Sequence, residues 1–342
     1  MWNVKVCATA MLLCMATISS SIADTPTVLT ETSINSSLDG QAQTIRYLAP
    51  PSVTGDAPLL VFLHTWSSDV HSNYPEWVKE ATGRGWIFVQ PDFRGPNGRP
   101  EACGSPLAQQ DVLDAVDWAC SQFSVDRSRI YLAGASGGGH MSLLLAGKHP
   151  ERFSAVSAYV GITDLADWYR FHAIKGSPDR YAEMTASACG GVPGASEAVD
   201  NQYRARSPIH WLNGSNSLPI DIAAGVHDGK KGSVPIRHSI NAFNVLAQGR
   251  GDVLISEAEL SQLDKNNRLD HPLPSDVAAD ASFGRDILLR RTTGPSRITI
   301  FEGGHEGLPV ASCTWLSQQR RPTTPASTPS QRTVPAAQSS TR

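Results

Sequence analysis

Residues Ile130–His140 read IYLAGASGGGH, an apolar, β-branched start that turns abruptly into residues with almost no side chain. The apolar part predicts a buried strand, and GGHMSLLLAGKH after it predicts a helix. Between them, Gly134-Ala135-Ser136-Gly137-Gly138 fits G-x-S-x-G. A serine on so sharp a strand-to-helix turn stands exposed at the carboxyl end of its strand, the setting of a nucleophile. Small flanking residues avoid collisions within the turn. A phosphate-binding turn would need another spacing, such as G-x-G-x-x-G, which is absent. Outward from this stretch, short apolar runs alternate with helical patterns. LLVFLH (59–64), WIFVQ (86–90), FSAVSAYVG (153–161), LPIDIAAGVHDG (218–229) and SRITIF (296–301) read as strands. LAQQDVLDAVDWACSQF (107–123) and VPIRHSINAFNVLAQG (234–249) read as helices. The predicted fold is α/β, a doubly wound, mostly parallel sheet with helices on both faces. Two stretches, about 162–217 and 249–295, interrupt the alternation as cap inserts.

A serine hydroxyl needs a base, and the base needs an orienting acid. In a sheet of this kind both follow the nucleophile, the acid first. Of ten histidines, His305 in FEGGHEG directly follows the last predicted strand. Asp228 in GVHDGKKGSVP follows the strand IDIAAG, with Asp221 as the spare inside that strand. His64 precedes the serine and is out of order, and His140 is expected to pack beneath the turn. The Gly137 N–H faces a developing oxyanion, with a helix N-terminus behind it. The second donor is expected from the loop HTWSSD, as the N–H of Thr65 or Trp66. Trp66, Trp168, Tyr169 and Trp211 suit a sugar or aryl face, and Arg290-Arg291 a substrate carboxylate.

Residues 1–23 carry one lysine, an apolar run and small residues up to Ala23, the pattern of a cleaved secretory leader. The expected location is therefore secreted or periplasmic, with no stable membrane insertion after cleavage, since the apolar run is short for a span. From about Gln318 the chain is rich in Pro, Ser and Thr and is expected to be disordered through residue 342. That leaves 24–317 as the catalytic domain. Without Lys5 and the tail's four arginines, 24 basic residues face 32 acidic ones, a poor partner for nucleic acid or anionic membrane. Cys103 and Cys189 sit in Gly-flanked loops and are the favoured disulfide pair, with Cys120 read as a buried thiol. No Cys/His cluster suggests a metal.

Over roughly residues 44–310 the chain resembles the prolyl oligopeptidase-type catalytic domain of the α/β-hydrolase superfamily. VDRSRIYLAGASGGG with the later HPERFSAVSA resembles that family's nucleophile region, HDGKKGSVPIRHSINAFNVL its acid loop and FEGGHEG its histidine loop. The resemblance implies a Ser136–Asp228–His305 triad and no cofactor. Three features depart from it. HTWSS stands where the family commonly has a His-Gly-Gly run, only about 20 residues separate the leader from the first strand, leaving no room for a propeller domain, and acid and base lie 77 residues apart. The expected activity is that of a secreted serine hydrolase acting on small-molecule or polysaccharide esters, through an acyl-enzyme. The alternative is a prolyl oligopeptidase-like serine peptidase acting on short peptides.

Overall fold

Strand β3 (Ala57–Leu63) is buried along its whole length, and its side chains divide by parity. Leu59, Val61 and Leu63 join one apolar cluster, Leu60 and Phe62 another. A strand apolar at every position needs cover on both faces. The computed structural model, which describes residues 28–50, 55–174, 177–215 and 217–322, supplies it. On one face lie α2 (Pro106–Gln122), α3 (Gly137–Lys148) and α7 (Arg237–Arg250). On the other lie α1 (Pro75–Gly83) and α9 (Pro309–Ser317). Helix α2 buries Ala108, Val112, Ala115, Val116 and Ala119, the stripe its periodicity predicts. Ser105 caps it by accepting the Ala108 N–H at 3.1 Å, and Pro106 opens its first turn.

Among the described residues the sheet has nine strands: β1 (Thr30–Asn35), β2 (Ala42–Leu48), β3, β4 (Ile87–Pro91), β5 (Val125–Ala135), β6 (Ala155–Tyr159), β7 (Ile220–Gly225), β8 (Ile287–Thr293) and β9 (Ser296–Phe301). Their order is β1-β2-β4-β3-β5-β6-β7-β9-β8. The six central strands are parallel, as the alternation predicts. The antiparallel strands β1, β2 and β8 at the two edges were not read from the sequence. In β8 the dipeptide Arg290-Arg291 interrupts the apolar alternation of Ile287 and Leu289, and charged residues suit a sheet edge.

The first insert folds as helices α4 (Leu165–His172), α5 (Arg180–Cys189) and α6 (Glu197–Arg206). The second contains α8 (Glu257–Asn266) and β8. The leader expected at residues 1–23 and residues 323–342 of the tail lie outside the described residues. Tail residues 318–322 pack on the domain: the Tyr131 hydroxyl donates to the Gln319 carbonyl, and the Arg321 guanidinium donates to that of Phe153 at 2.5 Å. Among the described residues no helix is long and apolar enough to cross a membrane.

Candidate active site

Ser136 links β5 to α3 with φ 58° and ψ −119°, a left-handed backbone that a residue with a Cβ adopts under strain. Two backbone bonds hold it there. Its N–H donates to the Tyr159 carbonyl at 2.9 Å, and its carbonyl accepts the His140 N–H at 2.8 Å. Close approach explains the glycines that follow. A Cβ on Gly137 would lie 2.5 Å from the backbone N and Cα of Trp66, and one on Gly138 would strike the Leu63 carbonyl. The turn is therefore pressed against the backbone of the loop after β3.

That loop is itself clamped. His64, fully buried, sets its two ring nitrogens 3.0 and 2.8 Å from the carbonyls of Thr65 and Asp92 and stacks on Phe93 at 4.0 Å. The Trp66 carbonyl accepts from the Asn97 amide N–H at 2.9 Å and from its side chain at 3.2 Å. Of the two expected oxyanion donors, the Thr65 N–H is occupied, donating to the Tyr74 hydroxyl at 3.1 Å. Of the two, the Trp66 N–H remains, and the Trp66 backbone lies against Gly137.

Asp228 follows β7 and His305 follows β9, so both stand at the carboxyl edge of the parallel strands, as Ser136 does. His305 Nδ1–H donates to Asp228 Oδ2 at 2.7 Å. The other carboxylate oxygen accepts the N–H groups of Gly229 and Val234 at 2.9 and 3.1 Å. Asp228 is buried, so these bonds replace the solvation it has lost. The two loops are stitched together, with the His227 N–H donating to the Gly303 carbonyl at 2.9 Å. Gly307, two residues past His305, lies where an added Cβ would be 3.3 Å from the Cβ of Ala135, next to Ser136. Asp221, the spare acid, is buried in β7 and paired with Arg297 at 2.6 Å. A cavity of about 400 Å³ opens beside the acid loop, lined by Asp167, Phe171, Asp228, Lys230 and His238 among others.

The residues proposed for substrate are not gathered here. Trp168 is fully buried, packed on Trp66 at 4.5 Å, with its Nε1–H donating to the Ser233 carbonyl at 2.8 Å. It is a support of the site and not a face open to a sugar. Trp211 lies against Gly147 at the far end of α3, about 16 Å along the helix from Ser136. Its ring carries the Lys148 ammonium at 4.3 Å. Arg290 pairs with Asp280 at 3.0 Å, and Arg291 with Glu259 at 2.9 Å and with Asp276. Both arginines are spent on fastening the second insert to β8. The Cys103–Cys189 bond is also corrected. Both residues are free thiols buried in one cluster with Trp66 and Tyr203. Burial raises both thiols, Cys189 to about 12, with each other's proximity adding to the rise at Cys103. Cys120, read as a buried thiol, is free but only partly buried.

Sequence reasoning missed Ser233, whose Oγ lies 3.3 Å from His305 Nε2, and His172, whose Nε2–H donates to the Ser233 carbonyl at 2.8 Å. GKKGSVP was read for its acid and for Val-Pro, and nothing local marks the serine. Among the described residues no group of three or more His, Cys, Asp or Glu side chains is placed to hold a metal ion.

A family model described as the prolyl oligopeptidase family matches residues 73–256, more than half of the chain. Acylamino-acid-releasing enzyme of Arabidopsis thaliana is 27% identical over 185 residues, 49% of this chain and 24% of that protein. Acetylxylan esterase A of Emericella nidulans is 26% identical over 173 residues, 43% of this chain and 55% of that protein. The chain thus spans less than two thirds of either relative. An uncomplexed acylaminoacyl peptidase from Pyrococcus horikoshii superposes with a TM-score of 0.53 at 18% identity, covering 84% of this chain and 40% of that one. A puromycin-hydrolysing peptidase from Mycobacterium tuberculosis also gives 0.53, at 20% identity, covering 67% and 35%. At such identities the structures establish a shared α/β-hydrolase fold.

Proposed function

Since this chain belongs to the prolyl oligopeptidase family, we propose that it is a serine hydrolase of carboxylic esters, with Ser136 as nucleophile, His305 as base and Asp228 as orienting acid. The observation that carries this reading is the 2.7 Å Asp228–His305 bond, set at the same sheet edge as a serine held at positive φ. In the proposed reaction Ser136 Oγ attacks the ester carbonyl while His305 Nε2 takes its proton. The carbonyl oxygen becomes an oxyanion held by the N–H groups of Gly137 and Trp66. His305 then returns the proton to the leaving alkoxide, the alcohol departs, and Ser136 is left acylated. Water, deprotonated by His305, releases the acid and frees the serine. Asp228, which accepts from Nδ1, keeps the lone pair on Nε2 and stabilises the imidazolium formed in each half.

Esters are favoured over amides because the chain spans 55% of a relative named an acetylxylan esterase and only 24% of one named an acylamino-acid-releasing enzyme. The proposed substrates are short acyl groups on small alcohols or plant polysaccharides, met outside the cytoplasm if residues 1–23 act as a leader. The peptidase-named relatives support the second reading, cleavage of acylated or short peptides by the same residues. The test is a panel of short-chain aryl esters, acetylated and feruloylated xylan, and aminoacyl and acylaminoacyl anilides. Faster turnover of anilides than of esters would reverse the ranking. Wild-type turnover by Ser136→Ala would remove the mechanism.

A further inference from the structure

Ser233 stands between the catalytic pair and the cap. Its side chain faces inward, with Oγ 3.3 Å from His305 Nε2. Its backbone faces outward, the carbonyl accepting both the Trp168 Nε1–H and the His172 Nε2–H, each at 2.8 Å. Two side-chain donors from one face of α4 thus converge on one carbonyl in the acid loop. They are braced in turn. His172 Nδ1 lies 2.7 Å from Asp179 Oδ2, and Asp179 caps α5 by accepting the Tyr181 and Ala182 N–H groups at 2.8 and 3.2 Å. Burial acts to raise the Asp179 carboxyl, but the bonds from His172 and from these amides outweigh it and hold the group below its ordinary value. Trp168 also packs on Trp66, the residue proposed above to supply the second oxyanion donor.

The next link inward is equally confined. A Cβ on Gly232 would strike Asp228 Oδ1 and come within 2.7 Å of the His305 Cβ, so the chain reaches Ser233 along the flank of the catalytic pair. With Nδ1–H given to Asp228, His305 Nε2 carries a single lone pair, which accepts from the Ser233 hydroxyl at rest and must pass to Ser136 for reaction; once Nε2 is protonated, its N–H can donate to Ser233 Oγ. The His305 side chain is a quarter exposed.

We propose that Ser233 is a positioning residue for His305: its hydroxyl holds the ring by Nε2 at rest, gives up that lone pair to Ser136 for reaction and accepts from Nε2–H once the proton has been taken, and α4 of the cap, through Trp168 and His172, sets where that hydroxyl stands. The proposal rests on the Ser136–His305–Asp228 reading above. It makes the first insert a part of the catalytic machinery and not a removable lid. Small displacements of a base cost rate steeply while leaving substrate affinity nearly unchanged.

The experiment is steady-state kinetics of the full chain on an aryl acetate. Ser233→Ala is expected to lower kcat about tenfold with KM within about twofold. Ser233→Thr, which keeps the hydroxyl, is expected to recover most of that loss. His172→Ala, which leaves the hydroxyl but loosens its carrier, is expected to lower kcat similarly, and the double variant to be no worse than the single ones, since the two act as one unit. Wild-type or raised kcat in Ser233→Ala, an effect confined to KM, or a Thr variant no better than Ala would each overturn the proposal. Should Ser233→Ala fail to fold, wild-type kcat in His172→Ala would overturn it alone. Residual turnover in Ser136→Ala would instead indict the underlying reading of the site, whatever the Ser233 series does.

Discussion

Two regions meet over Ser136 and are built in opposite ways. The turn Gly134–Gly139 is written in six consecutive residues, and its shape is enforced by backbone collisions that each of its four glycines would suffer if larger. The acid loop 228–234 is held by partners about 60 to 75 residues away, with Trp168 and His172 on one side and His305 on the other. The first is rigid because it is crowded, the second because it is hydrogen-bonded to a cap. A site of this kind tolerates change differently on its two sides, by steric exclusion at Ser136 and by network loss at His305.

The largest expected effect is the removal of the proposed nucleophile. Ser136→Ala should lower kcat/KM at least about 10³-fold with the thermal midpoint little changed, read by ester hydrolysis and a melting scan. Gly137→Ala attacks the crowded side. Its methyl meets the Trp66 backbone at 2.5 Å, and because backbone cannot step aside as a side chain does, about 1–3 kcal/mol of stability and about 10²-fold in kcat should go together. If Gly137→Ala retained full activity, the steric account of the turn would fail. The networked side should break more gently. Trp168→Phe keeps most of the packing on Trp66 but loses the bond to Ser233, with an expected loss of about tenfold in kcat and about 1 kcal/mol in stability.

Acid should act beneath both regions. His140, one turn below Ser136, donates from Nε2 to the Arg206 carbonyl at 2.8 Å, and His238 accepts the Thr163 N–H at Nδ1 at 3.3 Å. Burial lowers each to about 4. The unfolded chain then binds these protons more readily than the folded one. The stability is therefore present above pH 6.5 and lost as pH falls from 6.5 toward 4, by up to about 3 kcal/mol per histidine. His238→Gln should flatten that part of the melting profile, and an unchanged slope would refute the assignment. The smallest effects belong to residues that the structure places elsewhere. Trp211→Ala and Arg290→Ala should leave kcat/KM on small esters within about twofold, and a larger fall in kcat/KM for the tryptophan variant would show that its distance from Ser136 has been misjudged.

The difference between the two regions also sets what could be read in advance. The alternation of buried runs and amphipathic stripes announced the six parallel strands and their helices, because a strand or helix has its own period. Antiparallel β8 was overlooked because its paired arginines hide a short apolar alternation, and their charge was read as a substrate grip when it fastens an insert. Trp168 invited the same error. Its composition suits a sugar face, and only its neighbours turn it inward. Cys103 and Cys189 were correctly seen as neighbours in space, yet both stand as thiols.

What these 342 residues determined by themselves is the strand–turn–helix around Ser136, the order of acid and base behind it, and the acidic balance of the folded part. Each depends on chemistry contained in a few adjacent residues. That Tyr74 takes the Thr65 N–H, that Ser233 touches His305 and that α4 donates to the Ser233 carbonyl were decided only by the tertiary structure. Such contacts join residues far apart in the chain, and hydrogen bonds and close packing act over a few ångströms whatever the separation in sequence.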